Sequence, residues 1–260
     1  YAPADGTDAS EIFNANDKLE VLPTSSIEIS YKISGGDWSK LPLAGTMGMK
    51  FSEGDFTYQV TQPASSTTEG KVQLTGLSAE GKAKSAIEVP ATVNETKITN
   101  ATYKVTGLKS GAFKASSIKS VDLAKAANIK SIPSNTFNGC KNLTTVKLNS
   151  VIKSIGSSAF AGCTSLKTFA TGKATASIGS KAFSGCTKLQ SVTLSKATKK
   201  FGASAFLNCK NITKLVVNQK VKVSKNAFKG CKKTIKVSGK AANKKYTVEQ
   251  IKKSGYKKVK

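Results

Sequence analysis

Three features predict an α/β, mostly β chain wound as a solenoid of about six 22–24-residue repeats, with a β region before it and a capping helix after it. A phenylalanine recurs at near-constant spacing. Short alternating apolar pairs lie between its copies. The charge balance reverses near residue 100, which marks a boundary between two different kinds of chain. The division read from this is an N-terminal β region (1–85), a solenoid (86–240, with lead-in strands over 86–107) and a C-terminal cap with a short helix (241–260).

Residues 1–85 contain no repeat. Ile27 to Ile33 alternates apolar and polar, as a half-buried strand does, and Gly35-Gly36-Asp37 is a turn signal. Phe56–Val60 and Lys71–Leu74 predict further strands, joined by a loop from Pro63 to Thr68. The region is short for a seven-stranded immunoglobulin-like sandwich. It suits either part of one or an N-terminal cap on the solenoid. Trp38, the only tryptophan, is expected in its core.

In the solenoid, Phe137, Phe160, Phe183, Phe206 and Phe228 are 23, 23, 23 and 22 residues apart. Each is followed three residues later by a cysteine: Cys140, Cys163, Cys186, Cys209 and Cys231. Five residues before each stands Ile132, Ile155, Ile178, Phe201 or Val223. Pairs such as Val146 and Leu148, Val192 and Leu194, and Leu215 and Val217 read as short strands with two inward side chains. Phe169 keeps this pattern but Thr171 breaks it. An earlier copy runs from Leu108 through Phe113, with Ser116 at the cysteine position, and the last copy has Ile235 and Val237 as its pair. One such unit cannot bury its own apolar face, so the copies must stack. The Ala-Phe-x-x-Cys segment is expected to form a turn or a single helical turn on the side away from the strand. Beyond the repeats, Thr247 is expected as an N-cap, with Gln250 three residues on and Gly255 at the C-terminal stop.

The segments Ile155-Gly156-Ser157-Ser158-Ala159-Phe160-Ala161-Gly162-Cys163-Thr164-Ser165-Leu166 and Ile178-Gly179-Ser180-Lys181-Ala182-Phe183-Ser184-Gly185-Cys186-Thr187-Lys188-Leu189 resemble the BspA-like class of leucine-rich repeats. The likeness extends upstream to Ile87–Val93 and Tyr103–Thr106 and covers about 150 residues. It departs at Ser116, at Phe201-Gly202 and in the Lys-rich last copy. The resemblance implies a leucine-rich-repeat solenoid in a secreted or cell-surface protein, mostly bacterial, with a role in adhesion or host-protein binding.

Composition narrows the chemistry. There is no His and no Arg, so all 41 basic residues are Lys. The commonest general base and the fork-shaped donor for phosphate and guanine are both missing. Residues 101–260 hold 33 Lys but only Asp122 and Glu249 as acids, a net of +31, whereas residues 1–100 hold 8 Lys and 13 acids, a net of −5. No catalytic residues, no metal site and no cofactor are expected, and no specific nucleic-acid recognition. The cysteine spacing matches no metal-ligand pattern, and the five are read as free buried thiols ahead of the disulfide and metal alternatives.

The expected function is a non-enzymatic binding or adhesion module, monomeric and extracellular or at the cell surface, without membrane insertion. Its expected partner is a host or bacterial surface protein or glycan, with polyanions among the candidates. A structural spacer presenting another domain and a carbohydrate-active N-terminal module are the alternatives. The candidate binding face is the outward side of the strands: Thr145, Lys147, Thr168, Ser191, Thr193, Lys214 and Val216, with Asn149, Ala170, Ser195 and Asn218 among the outward positions as well. Candidate polyanion contacts are Lys232, Lys233, Lys236, Lys240, Lys244 and Lys245. Lysine positions drift from copy to copy, so no ordered lysine ladder is expected, and the charge has a purely compositional reading as well.

Overall fold

The computed structural model describes residues 19–22, 30–33, 47–65, 68–96 and 101–260. Strands β1 (Leu19–Leu22) and β2 (Ser30–Ile33) form an antiparallel ribbon, so part of the strand expected over 27–33 is present. Residues 27–29 and the expected core residue Trp38 lie outside the described residues.

The alternation of Phe56, Tyr58 and Val60 drives β4 (Phe56–Gln62), which pairs antiparallel with β3 (Lys50–Glu53) and β5 (Gly70–Leu77). Helix α1 (Ala79–Ala83) follows, its Ser78 hydroxyl accepting the Gly81 N–H at 3.0 Å. The lead-in segment then divides. Strand β6 (Ala86–Glu88) joins the repeats, while β7 (Thr92–Glu95) and β8 (Ala101–Leu108) return to the N-terminal sheet, in the order β3-β4-β5-β8-β7. Strands β3, β4, β5, β8 and β7 thus form one sheet at the N-terminal end of the repeats. Phe51, Phe56, Tyr58 and Tyr103 are buried, and Phe56 meets Phe113 of the first repeat edge-on at 6.3 Å.

Each repeat contributes one three-residue strand, one two-residue strand and one turn. The three-residue strands are β9 (Ser120–Asp122), β11 (Thr145–Lys147), β13 (Thr168–Ala170), β15 (Ser191–Thr193), β17 (Lys214–Val216) and β19 (Lys236–Ser238). The two-residue strands are β10 (Ser131–Ile132), β12 (Ser154–Ile155), β14 (Ser177–Ile178), β16 (Lys200–Phe201) and β18 (Lys222–Val223). Both sets pair parallel, each strand with its copy in the next repeat except β11 with β13. The narrow sheet β10-β12-β14-β16-β18 is continuous. The wide sheet is not: β6-β9-β11 and β13-β15-β17-β19 are separate, and no ladder hydrogen bond joins β11 to β13. At that junction Phe169 fills the inward slot held by Val121, Val146 and Val192 in other repeats, and its ring packs on Phe160 and Phe183. On the other side of the break Val146 and Leu148 are half-buried.

The Phe-x-x-Cys segment is a turn, not a helix. It carries a positive φ at Gly139, Gly162, Gly185, Asn208 and Gly230, and a second positive φ stands two residues before each Phe, at Asn135, Ser158, Lys181, Ser204 and Asn226. Above it the phenylalanines form one column from Phe113 to Phe228, with successive ring centroids 5.1–5.3 Å apart and nearly parallel. Strand spacing of about 4.8 Å imposes this stacking. Burying each ring is worth about 1.5–3 kcal/mol, with about 0.5–1.5 more per ring pair. The Ile-Gly pairs are steric. A Cβ on Gly179 would sit 2.7 Å from the backbone carbon of Gly156 in the repeat before, and Gly156 and Gly202 are equally crowded. The cysteine slot is a hydrogen-bonding one: each thiol donates to the carbonyl of the phenylalanine one repeat back, from Cys140 to Phe113 (2.9 Å) through Cys231 to Phe206 (3.3 Å). All five cysteines are free, four buried and Cys231 half-buried.

The C-terminal helix α2 (Ala241–Lys253) corrects one expectation. It begins six residues before Thr247, and its N-cap is Lys240, which makes no side-chain capping bond. Thr247 is buried mid-helix with its hydroxyl accepting the Val221 N–H at 3.4 Å, so it faces the last repeat. Gly255 does end the helix, at φ +100°. Tyr256 then covers Phe228 at 6.0 Å, and residues 258–260 run alongside Ile235 and Val237.

Candidate functional site

The wide sheet presents the expected outward residues in two rows. Register places Thr168, Ser191, Lys214 and Lys236 in one row, and Ala170, Thr193, Val216 and Ser238 in the other. Across the break, Thr145 continues alongside Ser120 and Lys147 alongside Asp122. These side chains are small or polar, with no aromatic among them. Lys147 is not a free cation: its Nζ lies 2.9 Å from Asp122 Oδ2. Partial burial pushes the Asp122 carboxyl up, but the Ala124 N–H and Lys147 outweigh it and hold the pKa below the usual value. Lys125 pairs with Glu88 at 2.7 Å, and this contact raises the lysine's pKa. The N-terminal end of this face is therefore a mixed-charge network.

Asn149, Ser195 and Asn218 do not serve as free face residues. Asn149 is buried, donating to the Ala126 carbonyl at 2.6 Å and accepting the Val151 and Ile152 N–H groups at 3.0 Å. Ser195 accepts the Ala197 N–H, and Asn218 donates to the Leu194 carbonyl at 2.6 Å. They satisfy backbone groups at the strand exits, which would be costly to leave unpaired.

Lys232, Lys233, Lys236, Lys240, Lys244 and Lys245 are all exposed. They are spread over the last turn, β19 and the start of α2, and do not share one surface row. The ordered set lies elsewhere, contrary to expectation. On the narrow sheet, backbone N–H groups of Lys153, Ala176, Lys199 and Lys222 donate in turn to the carbonyls of Lys130, Lys153, Ala176 and Lys199. This builds a column of Lys130, Lys153, Lys199 and Lys222, interrupted once by Ala176, with Lys200 beside it in register with Ser177 and Lys222. All five lysines are exposed. A sequence signal existed in the repeated Lys-Ser-Ile at 130–132 and 153–155. Continued at the same 23-residue spacing it leads through Ala176 to Lys199 and Lys222, and Ala176 alone breaks the series.

The thiols sit in the core slot, four buried and Cys231 half-buried. Burial raises the pKa of Cys140, Cys163 and Cys186, and pushes Cys231 up to about 12. At the N-terminal end, Glu53, Asp55 and Glu88 line a cleft of about 420 Å³. Two of these three carboxylates are occupied, Asp55 by Lys84 at 2.6 Å and Glu88 by Lys125. Among the described residues no group of His, Cys, Asp and Glu is placed to hold a metal ion, and no helix is long and apolar enough to cross a membrane.

A solenoid with one parallel three-residue strand per turn of 22–23 residues and a repeated apolar pattern is a leucine-rich-repeat protein. The chain belongs to the BspA-type leucine-rich-repeat family, whose model matches residues 94–235 as six copies. This is a family of repeat scaffolds, not generally enzymatic. Similar solved structures include the pneumococcal vaccine antigen PcpA, at 22% identity and a TM-score of 0.62 over 76% of this chain and 51% of that one. The T. pallidum leucine-rich-repeat protein TpLRR matches at 21% identity and a TM-score of 0.56, over 79% of this chain and 95% of its own. A leucine-rich cell surface protein from Faecalibacterium prausnitzii matches at 22% identity and a TM-score of 0.50, over 76% of this chain and 57% of that one. The present chain thus spans about half the length of the PcpA chain. No protein of curated function matches it.

Proposed function

We propose that this chain is a non-enzymatic, monomeric binding module of a secreted or cell-surface protein, whose basic solenoid contacts an anionic surface macromolecule. In this reading the sheet of β3, β4, β5, β8 and β7 and residues 241–260 close the two ends of the repeat scaffold. One observation carries it: 33 lysines stand against two acids in residues 101–260, on a body whose turns are hydrogen-bonded to one another throughout the narrow sheet. Among the described residues, the ion pairs of that region, Lys104–Glu69, Lys125–Glu88 and Lys147–Asp122, all lie towards its N-terminal end. The remaining cations sum to a field that attracts polyanions over roughly a Debye length. The surface location rests on the family and on the description of the F. prausnitzii relative. The test is retention of the whole chain on immobilised heparin, with elution salt recorded at several pH values below 9. Passage at low salt without retention would make the charge compositional. The spacer reading, which the small polar side chains of the wide sheet favour, would then take its place.

A further inference from the structure

We infer that the narrow sheet is a binding strip for a linear sulfated glycan, which lies along the solenoid axis with its charges on Lys130, Lys153, Lys199, Lys200 and Lys222. This deepens the polyanion reading and rests on it. The geometry has three parts. First, the strip is a regular comb. Parallel pairing sets neighbouring rungs about 4.8 Å apart, near the advance of one sugar unit in an extended glycan. The lysines therefore fall at one or two rungs' separation along the line. An extended polymer with an anionic group on successive sugars meets cation after cation without bending.

Second, the strip has no internal competitor. The sequence holds no acid between Asp122 and Glu249, and none of these five lysines takes part in an ion pair among the described residues. On the wide sheet, by contrast, Lys147 and Lys125 are already engaged. Five like charges held in line by a hydrogen-bonded sheet repel one another and are relieved by an external anion. Third, the neighbours of the lysines suit a sugar. Ser131, Ser154 and Ser177 occupy the same sheet positions that Lys200 and Lys222 hold later, and each can exchange hydrogen bonds with hydroxyl or sulfate oxygens. The strip is built of Lys, Ser and Ala on its outer side and offers no aromatic ring. Single-stranded nucleic acid binds chiefly through stacking on such rings, and with no Arg in the chain a bidentate base or phosphate reader is missing too. Sulfated glycan is therefore the favoured class.

The experiment uses the full chain, a size-defined heparin oligosaccharide and a single-stranded oligothymidine of matched charge. Two variants remove equal charge: the strip variant (Lys130, Lys153, Lys199, Lys200 and Lys222 all →Gln) and a terminal variant (Lys232, Lys233, Lys240, Lys244 and Lys245 all →Gln). All ten positions are exposed, so both should melt like the parent. The strip variant should bind heparin at least about tenfold more weakly than the terminal variant. Its slope of log affinity against log salt should also fall by roughly 3.5 to 4.5, taking about 0.7–0.9 per neutralised charge. Ala176→Lys completes the column and should raise the elution salt above that of the parent. If the parent binds heparin and the two variants lose affinity equally, the field is diffuse and the strip is wrong, while the polyanion reading stands. If the parent does not bind heparin at all, both fail. If oligothymidine binds the parent as tightly as heparin does and loses as much in the strip variant, the strip exists but the glycan assignment is overturned.

Discussion

The interior turns and the terminal turns of this solenoid are built to different rules. In the interior, from Phe137 to Phe206, each ring has a copy above and below, each thiol has a carbonyl one turn back, and each Ile-Gly packs on the previous one. At the ends nothing repeats. Phe113 is closed by Phe56 of a mixed sheet, and Phe228 by Tyr256 after a helix. Ser116 replaces the first cysteine and meets Cys140 at 3.3 Å, while the last thiol, Cys231, is only half-buried. A repeat specifies its neighbours. It cannot specify what covers the last exposed face, so the ends recruit aromatic residues from unrelated sequence.

The largest effect that probes this contrast is Phe183→Ala. An interior ring with neighbours on both sides cannot collapse, so the change should cost about 3–5 kcal/mol in chemical denaturation. A loss below about 1 kcal/mol would mean that the column does not carry the core. Gly179→Ala comes next, at about 1–3 kcal/mol, because the new methyl meets backbone and not a movable side chain. Gly54→Ala at an open turn of the cap should be limited to the strain of its positive φ.

Alkaline pH gives a smaller, graded effect. A thiol whose folded pKa is raised favours the fold fully below its unfolded value of 9.0, and that contribution is lost as pH rises towards the folded value. Stability should therefore begin to fall near pH 9, by up to about 1 kcal/mol per thiol at half a unit above it. The loss should be shallower in Cys163→Ala. A flat profile to pH 10 would contradict the buried protonated thiols. The same difference between interior and end should appear in labelling. In native buffer Cys231 should react first, and Cys163 and Cys186 only on denaturation; rapid labelling of Cys186 would break the slot assignment. Smallest of all is Lys188→Ala, an exposed change that should stay within about 0.5 kcal/mol.

The interior was readable from the sequence because five copies of the same spacing make each position its own control. Phe, Cys and the apolar residue five before Phe are all buried or nearly so, as the spacing implies. The ends were harder. Thr247 has the chemistry of an N-cap, yet a buried position against Val221 outweighs local helix grammar, and the helix starts upstream on Lys240. Asn149 looks like one more polar surface residue, and only the backbone carbonyls of Ala126 and Ile129 reveal why it points inward. The lysine column was hidden differently. Its members fall at a constant 23-residue spacing, 130, 153, 199 and 222, but Ala176 breaks the series in the middle and lysines at other positions of the repeat mask it.

The gap between β11 and β13 bears on how the molecule would yield under load. On two sides of every turn the backbone is fastened to the next, along the narrow sheet and along the Phe turns, where Phe137 N–H reaches the Ala159 carbonyl at 2.7 Å. On the third side the fastening is missing at one place only among the described repeats, beside Phe169. Tension along the axis is therefore shared unevenly there: the narrow sheet stays shut and acts as a pivot, and the wide side opens like a jaw between the second and third turns. The first mechanical failure of the rod should be a bend at this seam, with the turns on either side intact, rather than a turn-by-turn peeling from an end.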